Sequence, residues 1–177
     1  MRTRAVWVAF ALALLAGCAG PKVSEYRDEK PVLDLATYFN GNLDAWGIVR
    51  NRSGKVVKRF RVDMTGTWQG NNGTLEEDFT YADGSKSRRV WRITKLDAFN
   101  YRGTAADVIG EAIGEARGNA LQWRYVLAVP VDGKTYNVNF DDWMYLVDDE
   151  VMVNKSDMSK FGVGLGEVIV SFRKRRS

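Results

Sequence analysis

From Leu43 onward, apolar residues recur at every second position and turn residues punctuate the runs. Such alternation predicts half-buried strands. Val56, Phe60, Val62 and Met64 share one face of the stretch from Lys55 to Trp68, and Leu75, Phe79 and Tyr81 follow Asn71-Asn72-Gly73. Asp83-Gly84 is a hairpin signal, after which Arg89, Trp91 and Ile93 alternate. Tyr101 to Val108 and Glu111 to Arg117 are weaker segments, expected to join near Gly110. Leu121, Trp123, Tyr125, Leu127 and Val129 alternate most cleanly, and Asp132-Gly133 turns the chain back into Tyr136, Val138 and Phe140. Val151 and Val153 open another strand, and Val168, Val170 and Phe172 close the series. Roughly nine or ten short strands with turn dipeptides between them predict an all-β antiparallel fold. Sequential hairpins with one apolar face favour an up-and-down, lipocalin-like β-barrel, in which closure removes the edges. One helical turn precedes the strands: Asp34 caps Leu35-Ala36-Thr37-Tyr38-Phe39, Asn40-Gly41 stops it, and its apolar face is expected to plug the body.

The amino end has a different pattern. Arg2 and Arg4 precede an apolar run from Ala5 to Ala16, and the only cysteine follows at Cys18. About a dozen apolar residues cannot span a bilayer, which takes about 20, but they suit the apolar region of a secretory signal. Leu15-Ala16-Gly17-Cys18 resembles the bacterial lipobox. That resemblance implies cleavage before Cys18, lipid on its sulfur, and acylation of the new amine. Each buried methylene then contributes about 0.8 kcal/mol, so several acyl chains hold durably. The rival, a buried free thiol, leaves the charged start and the apolar run unexplained. Ala19 follows the cysteine, a pattern similar to lipoproteins sorted to the outer membrane, facing the periplasm. The expected organisation is a signal peptide over 1–17, an acylated polar tether over 18–31 and a barrel over 32–177.

Charge and composition narrow the chemistry. Lys and Arg total 26 against 22 Asp and Glu, and the leader carries two of the basic residues and no acids, so the exported chain is nearly balanced. Near balance and export argue against nucleic acid as a partner. Histidine is absent, which removes the commonest metal ligand and neutral-pH base. No catalytic set, metal site or cofactor motif emerges, and the expectation is a protein that is not an enzyme.

Five features carry alternatives. Asp141-Asp142-Trp143-Met144-Tyr145 breaks the alternation; it is either a β-bulge with Trp143 in the core or two adjacent acids that, next to two aromatics, line a barrel mouth and bind a cation or a polar head group. Asn154-Lys155-Ser156-Asp157 is either a turn-rich connection or, by its Ser-Lys pair, a nucleophile. Glu77 shares the face of Leu75 and Phe79, so it lies either at the rim or inside with a partner such as Arg89. Lys58 falls on the apolar face, while Arg59, Arg61 and the tail Arg173 to Arg176 are either solvated or contacts for anionic head groups. The rings of Trp46, Trp68, Trp91, Trp123, Tyr125, Trp143 and Tyr145 fall mostly on the apolar face, where they either fill a small barrel or line a cavity. Trp91, Trp123, Tyr125, Trp143, Tyr145, Glu77 and Asp141 are the candidate ligand-binding residues.

The stretches Phe39-Asn40-Gly41-Asn42-Leu43-Asp44-Ala45-Trp46-Gly47, Asn139-Phe140-Asp141-Asp142-Trp143-Met144-Tyr145-Leu146 and Asn154 to Gly162, with Arg89-Val90-Trp91 and the lipobox, resemble the proteobacterial lipoproteins grouped as DUF3833, a family of unknown function. The resemblance covers the exported chain. It implies a periplasm-facing lipoprotein with a calycin-like barrel and brings no catalytic residues. The expectation for function is a membrane-held barrel that binds a small hydrophobic or amphipathic ligand, such as an envelope lipid. The alternative is a solid-cored lipoprotein acting through a protein partner.

Overall fold

The computed structural model describes residues 20–176; Cys18 and the leader lie outside them. Ten antiparallel strands follow one another around a closed barrel: β1 (Gly41–Asn51), β2 (Val56–Gln69), β3 (Asn72–Tyr81), β4 (Lys86–Lys95), β5 (Asn100–Thr104), β6 (Val108–Arg117), β7 (Ala120–Val131), β8 (Lys134–Leu146), β9 (Val151–Lys160) and β10 (Val163–Lys174). β1 pairs with β10, from Leu43 opposite Lys174 to Asn51 opposite Gly166, and closes the ring. The expected up-and-down topology is the one found.

Two sequence expectations are corrected in the ladder. The connection between β5 and β6 runs over residues 105–107, and Gly110 sits inside β6, where the pairing with β7 shifts register. Asn154 to Lys160 is regular β9 rather than a turn-rich connection, because Ser156 pairs with both Val168 and Asp142. Three register shifts interrupt the barrel, between Val49 and Arg50, between Ile109 and Ile113, and between Gly164 and Gly166. All three lie toward the end that carries the 52–55, 82–85 and 132–133 turns. Bulges bend strands locally, and here they shape one rim, the mouth.

The other end is shut. One α-turn, α1 (Leu35–Tyr38), is capped by Asp34, whose side chain accepts from the Thr37 amide at 2.9 Å. Leu35, Tyr38 and Phe39 are buried. The Tyr38 hydroxyl donates to the Glu150 carbonyl at 3.0 Å, Lys174 Nζ donates to the Thr37 carbonyl at 2.6 Å, and Lys95 pairs with Asp34. Gly66 makes room for this plug, since a Cβ there would lie 1.6 Å from the Phe39 carbonyl oxygen. Burying one such side chain contributes about 1.5–3 kcal/mol, so α1 is held by packing more than by its own single turn.

Tertiary contacts also extend along the amino-terminal segment expected to be a tether. A 3₁₀ turn, Val23–Tyr26, lies against the outside of β6 and β7, with Val23 buried. The backbone carbonyls of Tyr26 and Glu29 cover Gly118, where a Cβ would meet them at 1.7 and 3.0 Å. The Leu33 amide donates to the Gly118 carbonyl at 2.8 Å. The basic tail folds back too: Arg175 pairs with Asp44 and Asp63, each at 2.6 Å, and Arg176 with Glu150 at 2.7 Å. Among the described residues, no helix is long and apolar enough to cross a membrane.

Candidate functional site

The barrel is filled in its closed half and hollow toward the mouth. Period-two geometry sends alternate residues inward. In the closed half these are large: Leu43, Tyr101, Leu121, Trp123 and Met152 are buried almost completely. Trp123 fits because Gly103 and Gly114 stand opposite its ring; a Cβ at either would lie 2.6 or 2.3 Å from ring carbons. Above this layer a cavity of about 580 Å³ opens to the mouth. Phe60, Val62, Phe79, Leu127, Val129, Phe140, Met158 and Val168 form most of its wall. Its rings are ordered: Tyr125 stacks on Phe140 with centroids 5.1 Å apart, and Trp91 meets Tyr125 edge-on at 5.4 Å.

A polar band crosses this apolar wall at mid-depth. Glu77 of β3 is 9% exposed, and its Oε2 accepts no hydrogen bond. The nearest cation is Arg89 of β4, with Nη1 3.8 Å away. Arg89 is engaged elsewhere: its Nε donates to both Asp107 oxygens at 3.1 Å, and its Nη2 to Oδ2 at 2.7 Å. On the facing wall Asp142 of β8 is 5% exposed. It accepts from Ser156 Oγ and from the Tyr125 hydroxyl, the latter at 3.3 Å. Asn154, also 5% exposed, has an Oδ1 with no partner.

Electrostatics follow from burial. Desolvation raises the Glu77 carboxyl to about 7, against the pull of Arg89, and the Asp107 and Asp142 charges add to the rise. Desolvation likewise raises Asp142 to about 7, although hydrogen bonds from Ser156, Tyr125 and Asn154 favour its ionised form. Burial alone would lower Arg89, but the Asp107 hydrogen bonds and the Glu77 charge outweigh it and keep Arg89 cationic. Two buried carboxyls pushed up by desolvation in one cleft make this a candidate functional site on physical grounds. They are a cost to the fold that apolar side chains of similar size would avoid.

The candidate residues separate cleanly. Trp91, Tyr125 and Glu77 line the cavity. Trp123 lies in the packed layer below it, beside a void of about 50 Å³. Asp141, Trp143 and Tyr145 point outward. β8 runs in register against both neighbours through 141–145, without a bulge. Strict alternation therefore sends Asp142 in and Asp141 out, where Gln122 donates to it at 2.8 Å. Trp143 and Tyr145 stack on each other outside the barrel and receive Tyr26, at 6.1 and 5.4 Å between centroids. Trp46 is also outside, 47% exposed. From sequence Asp142 is one of a pair of acids at the mouth, whereas Asn154 and Ser156 are not candidates for this site. Their signal was present: counting by twos from Phe140 reaches Asp142, and from Met152 reaches Asn154 and Ser156. Lys155 and Asp157, the other half of that motif, form an outward ion pair at 2.5 Å, so no Ser-Lys nucleophile is assembled.

The family described as "Protein of unknown function (DUF3833)" matches residues 12–174. No curated protein matches the chain. Among solved structures, the S-type phycobiliprotein lyase from Guillardia theta superposes with a TM-score of 0.61 over 89% of this chain and 99% of that one, at 8% identity. A de novo designed fluorescence-activating β-barrel has a TM-score of 0.45 at 12% identity, covering 81% of this chain and 99% of its own. The lyase likeness establishes a shared barrel fold.

Proposed function

We propose, for a chain that belongs to the DUF3833 family of proteins of unknown function, that its barrel binds an apolar or amphipathic small molecule, such as an envelope lipid, while lipid on Cys18 holds it at the periplasmic face of the outer membrane. The observation that carries the binding role is the hollow. A cavity of about 580 Å³, walled by apolar and aromatic side chains with a few convergent polar groups, is open at one end and falls within the usual range of small-molecule sites, about 300–1,000 Å³. Such volume is also costly, because each missing contact forfeits dispersion energy. A barrel built only as a solid spacer gains nothing from it.

Geometry gives the anchor an orientation. Val23, which opens the docked 3₁₀ turn, follows Cys18 by five residues, a separation that extended chain spans in at most about 18 Å. That turn leads to Gly118 and α1 at the shut end. The docking of this segment near the shut end supports an arrangement in which a lipid on Cys18 holds the shut end toward its own bilayer and the mouth toward the aqueous space. A second use of the mouth is supported by its rim, where Phe161 is 90% exposed and Val163 and Leu165 are exposed beside it. Large apolar side chains at a rim suit a partner that delivers or receives the ligand.

Native mass spectrometry of the purified protein tests the binding role. The expected result is a lipid or other apolar small molecule that co-purifies and is lost when Val129→Trp fills the cavity. A barrel that is empty in every preparation, and takes up no apolar probe, ends the proposal. Membrane fractionation of Cys18→Ser tests the anchor, which predicts release from the envelope.

A further inference from the structure

Resting on the cavity-binding role above, we propose that the ligand enters head first and carries a cationic, hydrogen-bond-donating head group, such as a primary ammonium, which seats between Glu77 and Asp142. Three observations converge on this class. Two of the buried polar atoms left without partners belong to residues that line this cavity, and both are acceptors, Glu77 Oε2, once that carboxyl is ionised, and Asn154 Oδ1, so the missing group is a donor. Both belong to buried residues, 9% and 5% exposed, on β3 and β9 of the same cavity. Formal charge agrees: of the two cations that line the cavity, Lys58 stands at the mouth and Arg89 already donates three hydrogen bonds to Asp107, while Glu77 and Asp142 are both buried acids. A carboxylate head in this band would find Arg89 taken and two buried acids beside it.

The surroundings fit the same head. The stacked rings of Tyr125 and Phe140 line the same cavity, and aromatic rings attract desolvated cations. Toward the mouth the wall becomes apolar, with Val57, Val129, Val131 and Leu165. An aliphatic tail can therefore trail outward while the head lies deep. Lys58 stands at the mouth over the Tyr81 ring at 4.4 Å, and it adds a positive charge where the tail exits rather than where the head sits.

The test uses three probes with one tail: decylamine, decanol and decanoate. Their binding to the detergent-purified full chain at pH 8 is followed through tryptophan fluorescence and calorimetry. Decylamine is expected to bind at least about tenfold more tightly than decanoate, with decanol between them. Asp142→Asn and Glu77→Gln, each checked for native circular dichroism, should reduce decylamine affinity about tenfold and leave decanol within about twofold. Decanoate binding as tightly as decylamine overturns the head-group assignment and leaves the cavity-binding role standing. Failure of all three probes to bind overturns both. Variants that fail to fold do not decide the matter, since the wild-type ranking of the three probes does.

Discussion

The sharpest quantitative consequence of the polar band concerns Glu77→Gln. The folded barrel holds the Glu77 proton up to about pH 7, whereas the ordinary value is 4.5. Folding is therefore favoured fully below about pH 4.5, and that contribution is lost as pH rises through 7. Two and a half pKa units correspond to about 3 kcal/mol. Glutamine has nearly the same shape and no charge to desolvate, and Arg89 keeps its Asp107 partner in the variant. Urea unfolding midpoints measured from pH 5 to pH 8 convert to stabilities by linear extrapolation. Wild type and Glu77→Gln should agree within about 1 kcal/mol at pH 5. At pH 8 the variant should be the more stable by about 2–3 kcal/mol. Asp142 titrates with the same sign in both proteins, so the difference curve isolates Glu77. A difference that does not change with pH, or a variant less stable at pH 8, would refute burial as the cause of the raised carboxyl.

Arg89→Ala leaves Glu77 and Asp107 without their cation and should cost about 3–5 kcal/mol at pH 8, with a smaller loss at pH 5 where Glu77 is protonated; chemical denaturation at the two pH values checks this. Phe39→Ala empties the plug against Phe172, which it meets edge-on at 6.0 Å, and should cost about 3–5 kcal/mol, read from the thermal midpoint. Gly66→Ala sets a methyl 1.6 Å from the Phe39 carbonyl and should displace α1, exposing the amides of residues 35–39 to hydrogen exchange. Uptake of decylamine near pH 7 should expel protons from Glu77 and Asp142, because the ammonium favours their ionised forms, while Arg89 and Tyr125 stay protonated and Asp107 stays paired. Calorimetry in buffers of different ionisation enthalpy measures that release, and a release of zero contradicts the seat between the two acids.

Period-two patterning alone determined most of the architecture. Phe60, Val62 and Met64, or Tyr125, Leu127 and Val129, fall on one face whatever the rest of the chain does, because a strand has only two faces. With a turn dipeptide after nearly every run, this leaves little besides sequential antiparallel pairing. The Asp34 cap was equally local, since its hydrogen bond to Thr37 spans three residues. Lys58 and Glu77 were placed on the inner face by the same counting. The expectation of a leader over 1–17 ending before Cys18 likewise rests on sequence alone.

Tertiary structure decided how full the barrel is and which polar groups share its interior. Whether rings fill a barrel depends on what stands opposite them: Trp123 is accommodated by Gly114, its partner across the β6–β7 hairpin, and by Gly103 on β5, two strands away. Trp143 and Tyr145 looked like core because aromatic residues usually are; their cover is Tyr26, more than a hundred residues away, which packs on them from outside. Asp141 and Asp142 are neighbours of identical local propensity. Only an unbroken register through β7, β8 and β9 sends one to water and the other toward Tyr125 and Ser156. The convergence of Glu77, Arg89, Asp142 and Asn154 from four strands on one hollow is a property of closure, which no single segment encodes.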